Sequence, residues 1–569
     1  MTDADAEIAK CIEQHQSFLL DAGAGAGKTY SLVQGLKLLL KAERARLKAS
    51  GQQIACITFT NVAKDEIAER IDNDPLVRVS TIHDFLWDLI APHQRALRAS
   101  VAKYNRALKE TSRRKVDQTA LEAALPSLTI IYADLGTNLM KGRLFHDDLL
   151  QVAHLMFLDN PLLSRIGAAK YPFLFIDEYQ DTSLPVIEIV LGIVLPKMQD
   201  RLVVGLFGDK MQSIYTSSTN PGIGEIPDQF QKALKPIIKP DNRRCPIAVI
   251  DVLNRIRDDI RQVPADNNPK GEALYLLASD ENGLDAAQAY LRETRGWSLD
   301  PKETKQLFLT HRLIARKGGY ADLIQVYGDR GGFFREDLLG GDDKTIAFFI
   351  DKVEALSSAW RAKNQGLAIS ILKKNGFQLS SNDAKRAVRE ALEKLEQLRQ
   401  SATVREVLLH VQHTGLFVIL EELQERLENP KRDTSKMDER DADREERDAK
   451  FYEDLLQLPY SQVASFVDFF LNHTPFATKH GVKGAEFDDV IVVLDDQRAR
   501  WTQYSFDKYL SMEDLKDKAE RWKRTRNLFY VCCSRPKKRL AIVDLGGRGD
   551  TKLETVRTMF GADNVVTIN

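Results

Sequence analysis

The chain has 569 residues, of which 43% are hydrophobic and 29% charged, a globular composition and not a disordered one. At about 150 residues per domain, this length suggests about four domains. Lys and Arg total 81 against 82 Asp and Glu, a net charge of -1, which excludes a uniformly basic, histone-like binder but leaves room for a local basic groove.

In chain order, the N-terminal part alternates apolar runs with helical patterns. Strands are predicted over Phe18 to Asp21, Ile54 to Thr60, Phe173 to Asp177 and Leu202 to Gly208, and helices over Thr29 to Ala49, Val62 to Ile71 and Leu184 to Val194. Such alternation predicts a parallel sheet covered by helices. The distance from the second strand to Phe173 is too long for one crossover, so residues near 90–165, rich in Ala, Leu, Lys and Arg, are expected to form a helical insertion. A second α/β stretch covers about 236–325, with strands near Ala273 to Leu277 and Gln306 to Thr310. It resumes near 475, with strands at Val490 to Leu494 and Leu540 to Asp544. Residues 326–474 between them read as a second, mainly helical insertion. Within it the charged stretch PKRDTSKMDERDADREERDAK, Pro430 to Lys450, predicts a solvated loop or exposed helix.

No apolar run approaches about 18 residues, so no membrane span is expected. The acidic start MTDADAEIAK has no apolar core of a secretory signal. Cys11, Cys56, Cys245, Cys532 and Cys533 form no CxxC pair, which argues against a disulfide framework or a zinc or iron–sulfur site and fits a reducing cytoplasm.

The segment AGAGAGKT, Ala22 to Thr29, follows the apolar SFLLD and precedes a helical pattern. It fits a phosphate-binding P-loop. Gly23, Gly25 and Gly27 let successive N–H groups curl around phosphate oxygens, with Ala24 and Ala26 between them, and the helix that carries Tyr30 adds its positive end. Lys28 would bridge the β- and γ-phosphates and Thr29 would ligate Mg²⁺. FLFIDEYQDT supplies the acidic partner. Asp177 would hold Mg²⁺ through water, and Glu178 would polarise the attacking water as general base. Two acids at the tip of an apolar strand point to ATP hydrolysis more than to passive nucleotide binding.

Together, AGAGAGKT and DEYQDT resemble superfamily 1 helicases of the UvrD/Rep/PcrA type. ITFTNVAKDEIAERI (Ile57 to Ile71) resembles motif Ia of that family, STIHDFL (Ser80 to Leu86) motif Ib and FGDKMQSIY (Phe207 to Tyr215) motif III. DNRRCP (Asp241 to Pro246) resembles motif IV, TKHGVKGAEFDDVIV (Thr478 to Val492) motif V and RNLFYVCCSRPKKRL (Arg526 to Leu540) motif VI. All stand in the family's order over about 20–545. The resemblance implies an α/β fold of two RecA-like P-loop NTPase cores, each with an inserted, mainly helical subdomain. The first core would comprise 1–89 and 166–235 around insertion 90–165, the second 236–325 and 475–569 around insertion 326–474.

The resemblance also implies roles. Gln212 would contact the γ-phosphate and relay its state to DNA, though alone it reads as a surface glutamine. Arg244 and Arg535 would neutralise the transferring phosphate as arginine fingers, a task suited to a planar, always charged guanidinium. Glu486 would contact the nucleotide ribose. On single-stranded DNA, Thr60 and Asn61 would meet phosphates, His83 would line the track and Tyr215 would sit near a base. Lys479, His480 and Lys483 would add charge. His83 as a core or capping histidine and Tyr215 as core packing remain open alternatives. Such phosphate and stacking contacts read no sequence.

The chain departs from the family at four places. Gln14 and Gln16 lie closer to Lys28 than the family's adenine-reading glutamine, which leaves strict ATP preference open. Arg243 stands where an aromatic normally stacks on adenine. TSSTNPGIGE follows motif III without the family's tryptophan. The second insertion lacks the usual family pattern. No RecB-type nuclease is expected in the short stretch after motif VI, and no acid or cysteine partner stands out to make a metal site of His410 and His413.

The expected function is therefore an ATP-dependent 3′–5′ translocase on single-stranded DNA and duplex junctions, a helicase acting in DNA repair, recombination or anti-phage defence. The alternative is a partner-gated, DNA-sensing ATPase that regulates a separate nuclease, similar to the GajB-like subunits of Gabija anti-phage systems. A third possibility, a nucleotide-gated DNA binder with little turnover, sits poorly with Glu178, Arg244 and Arg535.

Overall fold

The computed structural model describes residues 3–112, 114–133, 136–214, 222–278, 281–308, 311–341, 343–377, 381–429, 431–432, 439–471, 476–477, 485–496, 503–547 and 549–568. The chain divides into two compact units. One comprises Met1–Tyr275, Thr502–Leu540 and Arg548–Val566, the other Leu276–Trp501, Ala541–Gly547 and Thr567–Asn569.

The first unit is built on a six-stranded sheet. Its strands are β1 (Phe18–Ala22), β2 (Ile54–Thr58), β3 (Val77–Thr81), β4 (Phe173–Asp177), β5 (Val203–Gly208) and β6 (Lys235–Lys239), in the order β3-β2-β4-β5-β1-β6. Every pairing is parallel. The side-chain period of two sends alternate residues to opposite faces. Leu174 and Ile176 of β4 join Ala55, Ile57, Val204 and Leu206 in one core. Phe173 and Phe175 join Phe18, Cys56 and Phe207 in the other. Both faces are covered, which is why the central strands read as unbroken apolar runs. The second core is closed by helices Asp3–Glu13 and Lys28–Ser50. The outermost strand β6, KPIIK, contains Pro236, which has no N–H and is tolerated at an edge.

The predicted insertion 90–165 is helical over Gln94–Ala107, Gln118–Ala124 and His146–Asp159, with one short parallel pairing of Ile131–Tyr132 with Arg143–Leu144. Its Leu97, Val101, Leu149 and Met156 share the core of Ile57 and Ile176. The predicted helix Leu184 to Val194 begins as an α-helix and widens to a π-helix over Glu188–Val194. Pro196 has no N–H to bond back to Gly192, a cause of such widening.

A second six-stranded sheet contains β7 (Glu272–Leu277), β8 (Thr304–Phe308), β9 (Phe476–Ala477), β10 (Phe487–Leu494), β11 (Pro536–Asp544) and β12 (Val565–Thr567), ordered β9-β8-β10-β11-β7-β12. Between β8 and β9 the described residues are mainly helical. The charged stretch forms helix Glu439–Gln457, but it is not uniformly solvated. Glu445 is 5% exposed and its carboxylate accepts from both terminal nitrogens of the fully buried Arg426. That bidentate pairing holds the Glu445 carboxyl down at about 2. This corrects the expectation of a purely solvated face. Residues 430 and 433–438 lie outside the described residues. The mixed α/β architecture of parallel sheets and helices is that of RecA-like P-loop cores with helical insertions.

Candidate nucleotide and DNA site

A parallel sheet gathers its ligand chemistry at the carboxyl ends of its strands. Here β1 runs into the phosphate loop, β4 ends at Asp177 and β5 ends at Gly208, with Asp21 paired to Gly208 and Asp177 to Phe207. The loop from Ala22 to Gly27 turns through left-handed backbone at Gly25 (φ 76°) and Gly27 (φ 78°). Helix Lys28–Ser50 then begins at Lys28, with no side chain capping its first N–H groups. Those donors and the helix dipole favour an anion. Lys28 is itself buried, Thr29 is half-buried and Tyr30 exposed. Above Gly25 there is no space for a side chain: a Cβ would lie 2.6 Å from Asn242 Oδ1 and 2.8 Å from Arg244 Cβ.

Motif IV forms the wall opposite the loop. Asp241–Asn242 pairs in parallel with Val263–Pro264, and Asn242 Nδ2 donates to Gln262 Oε1 at 3.1 Å. Asn242 Oδ1 accepts the main-chain N–H groups of Arg244 and Cys245 at 3.0 and 2.9 Å. The Arg243 N–H donates to Gly25 O at 2.9 Å, while its side chain is exposed. Arg244 Nη1 donates to Ser534 O at 3.3 Å. Arg535 is buried at the end of helix Ala519–Cys533, its Nε donating to Val531 O at 2.8 Å and Nη2 to Ser534 Oγ at 2.9 Å. Burial, and next the charge of Arg244, lower the Arg535 guanidinium to about 10. Two guanidiniums held in this way favour an arriving polyphosphate, which relieves their repulsion.

Glu178 follows Asp177 with a left-handed backbone (φ 51°), and its carboxylate accepts from Gln180 Nε2. Gln180 Oε1 in turn accepts the Asp209 N–H at 3.1 Å. Gln212 is buried, and its Nε2 donates to Asp209 Oδ2 at 3.0 Å. The Tyr179 hydroxyl donates to Asp21, whose carboxyl is raised by burial.

On the predicted DNA face, Thr60 caps helix Asn61–Arg70 by accepting the Ala63 N–H at 3.1 Å, and Thr60 and Asn61 are exposed. Beside them Phe59 is 44% and Val62 78% exposed, two apolar side chains that the motif comparison did not single out. His83 is half-buried. Its ring lies 4.8 Å from that of His146 and stacks at 6.2 Å on Tyr132, both from the helical insertion. Burial, then His146, lower its imidazole to about 4. Tyr215, Lys479, His480 and Lys483 lie outside the described residues. Glu486 is exposed immediately before β10 in the second unit.

The motifs missed Tyr530, Arg257 and Gln262. The Ala24 N–H donates to the Tyr530 hydroxyl at 2.9 Å, Arg257 Nη1 donates to it at 2.7 Å, and Gln262 Nε2 donates to Ala24 O at 3.2 Å. Only Tyr530, inside motif VI, carried any sequence signal.

A family profile described as an AAA domain matches residues 5–218. The chain is 25% identical to Gabija protein GajB of Bacillus cereus (strain HuB5-5), over 97% of this chain and 96% of that protein. It is 26% identical to a probable DNA helicase II homolog of Rickettsia felis, over 35% of each chain. It is also 26% identical to the ATP-dependent DNA helicase Rep of Buchnera aphidicola subsp. Baizongia pistaciae, over 35% of this chain and 34% of that one. By its ordered motifs and by these similarities the chain resembles the UvrD-like superfamily 1 helicases, and its phosphate-loop geometry suits a nucleotide-binding, helicase-type ATPase.

Proposed function

We propose that the protein is an ATP- and Mg²⁺-dependent translocase that moves 3′ to 5′ on single-stranded DNA and unwinds duplex from a junction. The observation that carries this reading is the joining of Arg244 and Arg535 at Ser534, with motif IV lying directly over Gly25. Guanidiniums at that place suit the charge of a transferring phosphate. Lys28 and the loop N–H groups bind the β- and γ-phosphates, and Glu178 takes the proton of the attacking water. Gln212 registers the γ-phosphate. The hydroxyl of Thr29 and the carboxylate of Asp177 are hard oxygen donors that suit Mg²⁺. That ion, when bound, neutralises charge on the phosphates. Phe59, Thr60, Asn61 and His83 form the DNA track of the first core, with Tyr215, Lys479, His480 and Lys483 as further contacts and Glu486 at the ribose. The core boundaries follow the motifs: 1–89 with 166–235, and 236–325 with 475–569. The polarity follows the resemblance of motifs III and VI to UvrD. The five thiols fit a reducing cytoplasm.

The test is steady-state ATP hydrolysis with and without single-stranded DNA, beside Lys28→Ala, followed by unwinding of 3′- and 5′-tailed duplexes. Strong DNA stimulation, lost in the variant, and unwinding from the 3′ tail alone are expected. Hydrolysis indifferent to DNA would sink the motor.

A second reading is favoured by the near full-length similarity to GajB. The chain would then sense DNA and gate a separate nuclease subunit, with little unwinding alone. DNA-stimulated hydrolysis without unwinding, together with stable capture of a nuclease encoded beside it, would favour this reading over the first.

A further inference from the structure

Tyr530 is fully buried on helix Ala519–Cys533, and four groups converge on its hydroxyl. It accepts from Ala24 N–H, from Arg257 Nη1 and, at 3.1 Å, from Gln262 Nε2, and it donates to Asp209 Oδ2 at 3.3 Å. Asp209 also accepts from Gln212 Nε2 and pairs with Arg257 at 3.5 Å, with both side chains fully excluded from solvent. A hydroxyl has one proton and two lone pairs. With the proton given to Asp209, three donors share two lone pairs, so the hydroxyl can release one of them and stay satisfied, and the Ala24 N–H is the one that lies in the phosphate loop. In a phosphate loop the alternative acceptor for such an N–H is a phosphate oxygen. The bonds form one line from Ala24 through Tyr530 and Asp209 to Gln212.

We propose that Tyr530 is a positioning residue that couples the phosphate loop to Gln212. This rests on the nucleotide-hydrolysing function proposed above. When a polyphosphate recruits the Ala24 N–H, the hydroxyl settles on Arg257 and Gln262. Its bond to Asp209 then changes, and Asp209 passes the change to Gln212 and segment 209–214. Tyr530 touches no reacting atom in this scheme. The Arg257 guanidinium also lies 5.2 Å from the centre of the Tyr530 ring, so phenylalanine preserves the packing and the cation–π contact and removes only the oxygen.

Tyr530→Phe tests this in the full chain, with Asp209→Asn as a second variant should the first fail to fold. Hydrogen exchange of segment 209–214 is followed with and without a non-hydrolysable ATP analogue, beside ATP hydrolysis with and without single-stranded DNA. In the wild type the analogue should change exchange of the segment at least fivefold. In either folded variant the response should vanish, and the DNA-stimulated to DNA-free kcat ratio should fall at least fivefold, with KM for ATP within about twofold. A folded variant whose segment responds like the wild type, or a wild type that does not respond, overturns the relay. A wild type that responds in exchange but shows no DNA-stimulated hydrolysis sinks the motor and leaves the relay standing.

Discussion

The guanidiniums of Arg244 and Arg535 come together on one residue: the first donates to the Ser534 carbonyl at 3.3 Å and the second to the Ser534 hydroxyl at 2.9 Å. They come from motifs IV and VI. Two like charges brought together, one of them fully buried, cost stability in the nucleotide-free protein. On the nucleotide-hydrolysing function proposed above, an arriving polyphosphate would relieve that repulsion.

Arg535→Met should therefore separate function from stability. An apolar side chain of similar length removes the burial cost and the repulsion from Arg244, and with them the hydrogen bonds to Val531 O and Ser534 Oγ, so the effects on the fold oppose each other. The melting temperature should shift by only a few degrees. ATP hydrolysis should fall by about 10³-fold or more, the range reported for loss of an arginine finger. A melting temperature well below wild type would mean that Arg535 is a structural pillar.

Gly25→Ala should weaken nucleotide binding more than it harms the fold. Left-handed backbone costs about 1–2 kcal/mol for a residue with a Cβ. The added methyl would also press on Asn242 Oδ1 and Arg244 Cβ. Relief requires motif IV to move off the loop, which carries Arg244 away from the phosphates. We expect affinity for a fluorescent ATP analogue to drop by more than tenfold, with a loss of a few degrees in melting temperature. Unchanged affinity would show that motif IV does not close on the loop.

The central strands were legible because they are buried on both faces. β4 begins and ends where the apolar run Phe173 to Asp177 does. The edge strands were not. β3 carries Arg78, Ser80 and Thr81 among its five residues, and β6 has a proline and two lysines. At a sheet edge, burial no longer imposes an apolar pattern. The phosphate loop is a local motif with its own spacing, so its residues could be named one by one. Tyr530, Arg257 and Gln262 owe their importance to contacts across hundreds of residues, and 506 positions separate Ala24 from Tyr530. No local pattern encodes that.

Lys239 shows the same limit. At the end of an edge strand it reads as a solvated charge, yet its side chain is 2% exposed and its Nζ donates to Asp5 Oδ1 at 2.8 Å and Ser31 Oγ at 2.6 Å. The contact ties the first helix to the phosphate-loop helix. Lys239→Met takes the lysine charge away from the buried Asp5 carboxylate, which keeps the hydrogen bond from Ser31 Oγ, and unfolding free energy should fall by about 3–5 kcal/mol. Adding Asp5→Asn should restore part of the loss, because the stranded charge is removed. Denaturant melts of the two variants check this, and a double variant no better than Lys239→Met would refute it.

His83 gives the fold a definite acid response. Its imidazole is lowered from the ordinary 6.5 to about 4 by burial first and then by His146, against smaller opposing effects of Asp147 and Asp84. Above pH 6.5 the group is neutral both folded and unfolded, and the stability of the neutral stacked ring is fully present. As the pH falls from 6.5 towards 4, the unfolded chain takes up the proton first, so stability is lost across that window, and below about 4 the loss levels off. The slope is at most one proton, about 1.4 kcal/mol per pH unit. His83→Phe keeps an aromatic ring against Tyr132 and His146 but cannot titrate. Urea melts at pH 7 and pH 5 should therefore show a smaller loss of stability in His83→Phe than in the wild type. An equal loss in both would mean that His83 is protonated freely in the folded protein and that the stack does not hold its ring away from solvent.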